Sequence, residues 1–421
     1  MRVIVIGGGV IGTTTAYYLH ADGHEVVLVD REQQLATEAS FANGGMLHAS
    51  HTEPWNTPAA IGQLIRWIGR EGSPLLLRPR QIPNLVGWGL GFFRYSLPRH
   101  HYRNTRINTR LAVYSIQCMR ELRQATGIAY DEQTNGILKI FHDGDELAAA
   151  EAVSQRVSDL GVRYQMLDTD GVIQREPMLG EVRDQLVGGI YYPDDETGDP
   201  CLFTRRLGDL MADGGAELRL GESVTGIESR NGAVTGVRTS QGVIAGDAVV
   251  VASGAEADRL TRPLGIKLPI RPVKGYSASV DVSDCDGVPS TPIIDAARKV
   301  VVTELGGRLR VAGTAEFAGL DRTVNDHRVR IVLEQALANL PTLASQISTH
   351  AMEPWACLRP MTVDGPAILG DTPVKGLYLN TGPGHLGWTF AAGAGRAVAD
   401  RVQGRQPGVD LEGLTYARYR R

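Results

Sequence analysis

The first thirty residues alternate between patterns typical of buried strands and of helices. Arg2 to Ile6 is a β-branched run that ends at glycine, which predicts a strand buried on both faces. From Thr13 to Asp22 apolar and polar residues recur at helical spacing, and Gly23 marks a natural helix end. His24 to Asp30 is a second apolar run. The order strand, turn, helix, strand predicts the opening of a doubly wound α/β sheet.

Short β-rich runs replace this rhythm in the middle of the chain. Ile137–Phe141 and Gly188–Tyr192 are flanked by Asn-Gly, Asp-Gly and Asp-Asp turns, and Asp145–Leu160 between them has a helical pattern. A second, sheet-rich region therefore begins here, and we predict that the chain crosses between two domains more than once. Further runs separated by turns continue the strand pattern: Glu217–Leu220, Val224–Glu228, Ala233–Thr239, Ala248–Ala252, Ile270–Val282 and Lys299–Ala312.

The end of the chain repeats the arrangement of its beginning. Gly376–Asn380 is a strand-like run, followed by the glycine-rich turn Thr-Gly-Pro-Gly-His-Leu-Gly-Trp and an Ala/Gly-rich helical stretch over Thr389–Val402. Neither a repeat of fixed period nor a low-complexity linker is evident. We expect this last strand and helix to join the N-terminal sheet.

Composition narrows the class of protein. The 421 residues are 43% hydrophobic and 21% charged, with a formal net charge of −4, which is typical of a globular protein with room for two domains. This charge provides no basic field for nucleic acid, so that partner is not expected. Four dispersed cysteines indicate neither a zinc site nor a disulfide framework. The first residues resemble a strand more than a signal peptide, so we expect a cytoplasmic location.

One segment departs from the charge balance. Between Gly72 and Arg120 there is no Asp or Glu, and arginines are mixed with large apolar residues. The segment is too interrupted by Arg, Pro and Gly to span a bilayer. Two interpretations remain open: helices packed on their own domain, or a peripheral contact with anionic lipid on the inner face of the cell membrane. The arginines are Arg78, Arg80, Arg94, Arg99, Arg103, Arg106, Arg110 and Arg120.

A dinucleotide-binding fingerprint lies between the first predicted strand and helix. The run from Gly7 to Gly12 matches G-x-G-x-x-G: Gly7 permits the turn, Gly9 lets a pyrophosphate approach the backbone, and Gly12 lets the helix pack against the strand. Helix-start amides then face the anion. Asp30, 18 residues after Gly12, ends the second strand and is placed to accept the ribose hydroxyls. A carboxylate there disfavours NADP, but FAD and NAD share the fingerprint.

Three later segments favour FAD over NAD. The small-residue turn from Ser40 to Gly45 can bring backbone amides near a second phosphate or the flavin edge. The strand from Asp247 to Gly254 ends in small residues that would let the backbone pass close to a cofactor. The turn from Gly382 to Gly387 can aim a helix N-terminus at negative charge on reduced flavin.

These pieces, in this order, resemble the D-amino acid oxidase superfamily of FAD-dependent oxidoreductases. The chain is most similar to the group of bacterial D-amino acid dehydrogenase small subunits, and the likeness runs from Met1 to about Val402. The motifs that carry it are Ser-Phe-Ala-Asn-Gly-Gly with Pro54-Trp55 downstream, Lys274-Gly275-Tyr276-Ser277, Leu358-Arg359-Pro360-Met361-Thr362-x-Asp364-Gly365 and Leu386-Gly387-Trp388-Thr389.

The resemblance implies non-covalent FAD and an α/β (α+β overall) fold. A Rossmann-like FAD-binding domain would comprise residues 1–90, 188–265 and 350–421. An antiparallel β-sheet substrate-binding domain would comprise residues 91–187 and 266–349. It implies oxidation of a D-amino acid at its α-carbon, by hydride transfer to flavin N5, with electrons passed to a quinone or respiratory acceptor. The expected cofactor-binding residues are Gly7, Gly9, Val10, Ile11, Gly12, Asp30, Arg31, Ser40, Asn43, Gly44, Gly45, Met46, Val224, Ser253, Gly254, Gly382, Gly384, Leu386, Gly387, Trp388 and Thr389.

Three residues are candidates for contact with the substrate. The substrate carboxylate is best bound by the paired N–H donors of an arginine, and Arg359 matches the arginine that related amine and glycine oxidases use for it. The alternative is that Arg359 makes a structural ion pair. Arg271 is a weaker candidate for the carboxylate-binding residue. His385 can hydrogen-bond the substrate or assist its deprotonation. It is a departure, because the dehydrogenases that this chain resembles more typically have His-Gly-Thr where Pro383-Gly384-His385 stands. Tyr276 either closes the pocket with its phenol or packs in the core.

Sequence alone leaves the remaining pocket residues, the exact substrate and the electron acceptor open. Met46, His48 and His51 follow the Asn-Gly-Gly turn, and one of them can reach the pocket; their spacing is not that of zinc ligands, and no catalytic metal is expected. The substrate can instead be D-proline or cis-4-hydroxy-D-proline, and the acceptor can be O2. A silent FAD-binding electron-transfer subunit and a nicotinamide dehydrogenase are the interpretations from different classes of protein. The oligomeric state is not predicted.

Overall fold

The computed structural model describes residues 1–58, 62, 73, 75–348 and 351–420. Gly72, where the basic segment begins, and residues 349 and 350, at the expected domain boundary, lie outside the described residues. None of the described helices combines the length and the apolar character needed to cross a bilayer.

Twenty strands are present in the described residues. They are β1 (Arg2–Ile6), β2 (Glu25–Asp30), β3 (Met46–Leu47), β4 (Leu75–Leu77), β5 (Ile137–Phe141), β6 (Gln165–Leu167), β7 (Gly188–Tyr192), β8 (Glu196–Thr197), β9 (Glu217–Leu220), β10 (Val224–Arg230), β11 (Ala233–Thr239), β12 (Gly242–Ala245), β13 (Ala248–Val251), β14 (Ile270–Asp281), β15 (Ile293–Asp295), β16 (Val300–Leu305), β17 (Arg308–Phe317), β18 (Glu353–Thr362), β19 (Ile368–Asp371) and β20 (Leu377–Thr381).

Ten α-helices accompany these strands in the described part of the chain. They are α1 (Val10–Ala21), α2 (Ile82–Tyr95), α3 (Pro98–Thr126), α4 (Gly144–Val157), α5 (Thr169–Arg175), α6 (Pro200–Asp213), α7 (Ala257–Thr261), α8 (Asp326–Leu337), α9 (Pro341–Gln346) and α10 (Gly387–Val402). The helix predicted from Thr13 begins three residues earlier, because the last residues of the glycine turn already belong to its first turn.

A six-stranded sheet in the order β19-β20-β13-β1-β2-β9 forms the first layer. All its pairings are parallel except that of β19 with β20. Val3, Ile4 and Val5 of β1 are fully buried, as expected of a central strand covered on both faces. Helix α10 crosses α1 closely: a Cβ on Gly395 would lie 3.1 Å from the Thr15 amide nitrogen. The C-terminal strand and helix thus complete the N-terminal sheet, which confirms the predicted Rossmann-like architecture.

A nine-stranded sheet forms the second layer, in the order β18-β14-β17-β16-β15-β5-β7-β6, with β4 paired to β17. Its pairings are antiparallel except β15 with β5 and β17 with β4, so the sheet is mixed rather than purely antiparallel. Helix α8 covers one face, where Val329, Val332 and Leu333 are fully buried. The opposite face meets the loop after β2, because Ser277 of β14 and Thr303 of β16 donate to backbone carbonyls of that loop.

Sheet membership differs from the expected domain division at three strands. β7 lies after residue 188 and β18 lies after residue 350, yet both belong to the nine-stranded sheet rather than to the FAD-binding sheet. β4, within residues 1–90, also pairs with that sheet. Each of these three segments adds one strand to the nine-stranded sheet, and the chain then returns to the first layer. The division into two discontinuous domains stays a proposal, with boundaries displaced by these strands.

Candidate active site

A cavity of about 670 Å³ lies between the two layers, at the carboxyl ends of β1, β2 and β13. Ligands bind at this edge of open parallel sheets. The structure brings 17 of the 21 expected cofactor-binding residues to its wall: Gly7, Gly9, Val10, Ile11, Asp30, Arg31, Ser40, Asn43, Gly44, Gly45, Met46, Val224, Ser253, Gly254, Gly384, Gly387 and Trp388. The other four, Gly12, Gly382, Leu386 and Thr389, are not among the residues that line the cavity.

The glycine turn has the close packing that a pyrophosphate cradle needs. Gly7 has φ +116°, and a Cβ there would lie 2.6 Å from the Ala252 carbonyl oxygen. A Cβ on Gly12 would lie 1.8 Å from the Gly7 carbonyl oxygen, so only glycine lets α1 sit this close to β1. The Val10 amide donates to Ser40 Oγ over 2.9 Å, which fixes the following turn against the helix start. Backbone amides there can approach an anion without side-chain obstruction.

Two polar groups on the same wall fit the adenosine end of FAD. Asp30 accepts hydrogen bonds from the amides of Gly8 and Glu32. Burial raises the pKa of its carboxyl, and these two hydrogen bonds offset only part of that rise. Ribose hydroxyls would supply the further donors that a buried carboxylate favours. The Ser253 hydroxyl oxygen is buried and has no hydrogen-bond partner in the described residues. Both observations indicate that the site is completed by a polar ligand, as FAD would be.

The turn from Ser40 to Gly45 is anchored on the nine-stranded sheet. Ser277 of β14 donates to the Ala42 carbonyl over 2.6 Å, and Thr303 of β16 donates to the Gly44 carbonyl over 2.9 Å. On the other side, Trp388 donates to the Gly45 carbonyl over 3.3 Å. The turn is therefore clamped between the two layers, where its backbone lines the cavity.

An ion-pair network closes the side of the cavity near Asp30. Arg31 donates to Glu38 and Glu256, and both carboxylates also bind Arg322, over 3.2 and 2.8 Å. Arg322 follows β17, so the network links the two layers. Arg31 was expected at the cofactor, but the network has no signal in the sequence, because its members are distant along the chain. Arg31 lines the cavity, but its guanidinium is already paired with the carboxylates of Glu38 and Glu256.

Arg359 lies at the other end of the cavity. Its guanidinium donates to the Thr314 carbonyl over 2.8 Å and stacks on Trp55, with 5.2 Å from Arg359 Cζ to the ring centroid. A Cβ on Gly275 would lie 2.2 Å from the guanidinium, so the glycine makes room for it. Among the described residues no carboxylate pairs with Arg359, and burial lowers its pKa. The structural ion pair considered from the sequence is not found there, and Arg271 lies outside this cavity.

Thr314 holds this arrangement through an unusual backbone conformation. Its φ of +54° is rare for a β-branched residue. The register shifts at this point, since Lys274 pairs with Glu316 but Tyr276 pairs with Gly313, which marks a bulge in β17. The bulge turns the Thr314 carbonyl toward Arg359. The sequence carried no signal for it.

Three histidines line the cavity beside Arg359. His385 stacks on Trp55 with ring centroids 5.3 Å apart, and lies 6.3 Å from His51, which lies 5.8 Å from His48. Burial lowers the pKa of His48 to about 3, and it lowers the pKa of His385 well below 6.5. Both imidazoles are therefore neutral at pH 7. His51 Nδ1 is 3.5 Å from Glu53, a residue that no sequence pattern singled out.

The Tyr276 side chain lies in the core. Gly275 faces Arg359, so the next residue along the strand points to the opposite face of the sheet. The Tyr276 ring packs in the core with Val329 and Val332 of α8, and its hydroxyl donates to Glu316 over 2.5 Å. Tyr276 borders the cavity, but its phenol does not close it. Of the two interpretations of Tyr276 from the sequence, packing is the one that the structure supports.

Comparisons with known proteins agree with this geometry. The family model for DAO, FAD dependent oxidoreductase, matches residues 2–401. The chain is 43% identical over 420 residues to the D-amino acid dehydrogenase of Paramagnetospirillum magneticum, covering 100% of this chain and 99% of that protein. It is 42% identical over 422 residues to the D-amino acid dehydrogenase of a Methylobacterium species, covering 100% of both.

Solved structures show the same fold. Glycine oxidase from Bacillus cereus is 25% identical and superimposes with a TM-score of 0.74, covering 96% of this chain and 95% of that one. L-Proline dehydrogenase from P. horikoshii, at 19% identity, superimposes with a TM-score of 0.78, covering 99% and 97%. The fingerprint, the cavity and the full-length relatives lead to one conclusion: this chain belongs to the DAO family of FAD-dependent oxidoreductases.

Proposed function

We propose that this protein dehydrogenates a D-amino acid to its imine, which water hydrolyses to a 2-oxo acid and ammonia. Full-length relatives at 43% and 42% identity are named D-amino acid dehydrogenase. The observation that carries the proposal is Arg359, a cavity-lining cation with no carboxylate partner among the described residues. A buried cation of this kind is stabilised by an anionic ligand, and the planar guanidinium matches a carboxylate in two parallel hydrogen bonds.

The side chains around Arg359 would position the substrate rather than break its bonds. FAD, when bound, supplies the acceptor for the α-hydrogen as hydride. Arg359, held by the Thr314 carbonyl and by Trp55, would bind the carboxylate and so fix the α-carbon. Since the pKa of His385 is low, this imidazole is a weak base, which favours hydrogen bonding to the substrate over removal of its ammonium proton.

The reaction is tested by mixing the flavin-loaded protein anaerobically with D- and L-amino acids, D-proline and cis-4-hydroxy-D-proline. We expect the D-amino or D-imino acids to bleach the flavin absorbance at about 450 nm and their L-enantiomers to leave it unchanged. Reduction by L-compounds alone would contradict the stereochemistry proposed. If no amino acid reduces the flavin, the enzyme assignment fails and the silent electron-transfer subunit takes its place.

We also propose that the electrons pass to a quinone at an anionic membrane surface, on which α2 lies. Ile82, Val86 and Leu90, at successive i, i+4 positions, are 48, 57 and 69% exposed, and Leu97 is 47% exposed. The opposite side of α2 is docked by Trp88, which donates to the Pro269 carbonyl over 3.1 Å. An apolar stripe on an otherwise anchored helix is typical of interfacial binding.

The arginines near α2 support the same helix as the membrane contact. The exposed guanidinium groups of Arg80, Arg94, Arg99 and Arg103 flank the stripe, and within the described ranges none has an acidic partner. Unpaired arginines beside apolar side chains are attracted to anionic headgroups. Leu75 and Trp55 pack in the same apolar cluster as Trp88 and also line the cavity, so α2 is docked next to the end of the cavity that holds Arg359.

This surface predicts binding to vesicles. Wild-type protein should co-sediment with vesicles that contain an anionic lipid and should be released as salt concentration rises. Leu90→Glu, which places a carboxylate in the stripe, should reduce binding by roughly ten-fold or more. Val243→Glu is the matched control, because Val243 is 67% exposed on β12, outside the stripe. Equal binding by the Leu90→Glu variant and wild type would exclude α2 as the contact.

A further inference from the structure

The histidine cluster beside Arg359 has more hydrogen-bonding capacity than the proposed reaction needs. His48, His51 and His385 follow one another along the cavity wall, with successive ring centroids 5.8 and 6.3 Å apart. Carboxylate binding needs only Arg359, and hydride acceptance needs only the flavin. The same wall carries Glu53 and Lys139. Five polar or charged side chains therefore share the cavity wall with Arg359, and the side chain of a substrate held by that arginine would lie near them.

Three nitrogen atoms in this cluster have no hydrogen bond to any described residue: His48 Nδ1, His385 Nε2 and His51 Nδ1, and of these only His51 Nδ1 faces a carboxylate, that of Glu53 at 3.5 Å. His48 is only 8% exposed, and its Nδ1 atom is buried without a hydrogen bond to any described residue. His385 Nε2 is also buried, and no residue that the structure describes donates to it or accepts from it. A buried polar atom without a partner destabilises a protein, so such atoms in native structures are usually satisfied by a ligand or water. His48 and His385 line the cavity, so their missing partner would come from its contents.

The cluster is not arranged for a metal ion. Within the part of the chain that the structure describes, no group of three or more His, Cys, Asp or Glu side chains is placed to hold one. Trp55 stacks against His385 with an interplanar angle of 24°, which fixes the ring plane. The nitrogen atoms are thus left to hydrogen bonding.

Charges in the cluster balance one another. Burial acts to raise the pKa of Glu53, but His51 and Lys139 outweigh it and hold the pKa at about 2, so Glu53 is ionised at neutral pH. Burial lowers the pKa of Lys139, whereas the neighbouring Glu53 carboxylate favours its charged form, and Lys299, which also acts on the cluster, is exposed at the rim of the cavity. Since His48 and His385 are neutral, a charged substrate side chain would bring an unmatched charge into the space. A neutral hydrogen-bonding group would not.

A hydroxyl group fits this requirement. It donates and accepts at once, so it pairs with a neutral imidazole in either tautomer. An aliphatic side chain would leave His48 Nδ1 and His385 Nε2 unsatisfied. We propose that His48 and His385 form a side-chain subsite that selects hydroxyl-bearing D-amino or D-imino acids. This inference rests on the proposed D-amino acid dehydrogenase function and names its substrate class.

The experiment compares substrates that differ only by a hydroxyl group. The pairs are D-serine with D-alanine, D-threonine with D-2-aminobutyrate, and cis-4-hydroxy-D-proline with D-proline. Anaerobic single-turnover reduction gives the dissociation constant and the reduction rate separately. For at least one pair we expect kcat/KM to favour the hydroxylated member by roughly 100-fold, mostly through tighter binding, because a site built for a hydroxyl rejects the analogue without it. Equal use of both members in every pair would overturn the subsite.

Variants assign the preference to the two histidines. His385→Phe and His48→Phe each keep a ring but remove the hydrogen bond, so the ratio of kcat/KM within the favoured pair should fall toward one. His385→Asn keeps a polar group and should restore part of the ratio, which separates loss of the hydrogen bond from loss of folding. His327→Phe, at an exposed position on α8, is the control and should leave the ratio unchanged. An unchanged ratio in both His→Phe variants would overturn the assignment.

These outcomes are distinct from failure of the proposed function. If D-compounds reduce the flavin but the pairs are indistinguishable, the dehydrogenase assignment stands and the subsite is wrong. If no D-compound reduces the flavin, the proposed function fails first, and the subsite fails with it.

Discussion

Arg359→Leu is expected to lower kcat/KM for the best D-amino acid by about a thousand-fold. Removing one partner of a buried, hydrogen-bonded charge pair costs about 4 kcal/mol, and about 1.4 kcal/mol corresponds to a factor of ten. Most of the loss should appear in the dissociation constant, because the guanidinium holds the carboxylate before and during hydride transfer. Steady-state kinetics with an artificial electron acceptor, together with single-turnover flavin reduction, would measure both terms.

Two further arginine variants make this test specific. Arg359→Lys retains the charge but not the planar fork, so its kcat/KM should fall between those of wild type and Arg359→Leu. Arg271→Leu is the matched control, because Arg271 lies outside the cavity and donates to the Ile270 carbonyl. All variants should keep their flavin. A loss below about three-fold in Arg359→Leu would place the carboxylate elsewhere in the cavity.

Gly12→Ala is expected to give protein almost free of flavin. The added Cβ would lie 1.8 Å from the Gly7 carbonyl oxygen, so α1 and the glycine turn must move apart. That movement displaces the helix-start amides that would face the pyrophosphate. The measurement is the ratio of flavin to protein after purification, followed by titration with FAD. We expect affinity for FAD to fall by roughly 100-fold or more, consistent with the loss of a close-packed cradle.

The control for this change is Gly144→Ala. Gly144 begins α4, and a Cβ there would meet nothing within 4 Å. Its flavin content should equal that of wild type. Full flavin content in Gly12→Ala would mean that the helix can shift without loss of the site, and the role given to this glycine would be wrong.

Local patterns predicted the FAD side of the molecule well. Gly7, Gly9 and Gly12 stand between a strand and a helix, and Asp30 ends the next strand, so the physics of phosphate and ribose binding is contained in about thirty consecutive residues. Ile137–Phe141 and Gly188–Tyr192 were predicted with the observed bounds, because turn residues border each of them. The bounds of a strand or helix can be predicted from the sequence when the residues next to it set those bounds.

The substrate side could be predicted only in part. For Tyr276 the strand was predicted correctly, but the face that each side chain occupies depends on register: Gly275 faces Arg359, and the Tyr276 ring lies on the other face, in the core. The Thr314 carbonyl reaches Arg359 because of a bulge in β17, and no residue type in the sequence predicts that bulge. Glu53 matters through His51 and Lys139, which approach it only after folding. Such features depend on contacts between distant segments, and one sequence does not contain them explicitly.

The strand order of the FAD-binding sheet has a consequence for how the protein is made. β1, at its centre, is among the first segments to leave the ribosome, whereas β20 and α10 are made last. At typical rates of translation this interval is on the order of tens of seconds. During that time β13 lacks its neighbour on one edge, and α1 lacks the helix that crosses it, so an open apolar strand edge is exposed to aggregation. Cellular yield should therefore depend on chaperones that shield nascent chains, even though the finished fold is well packed.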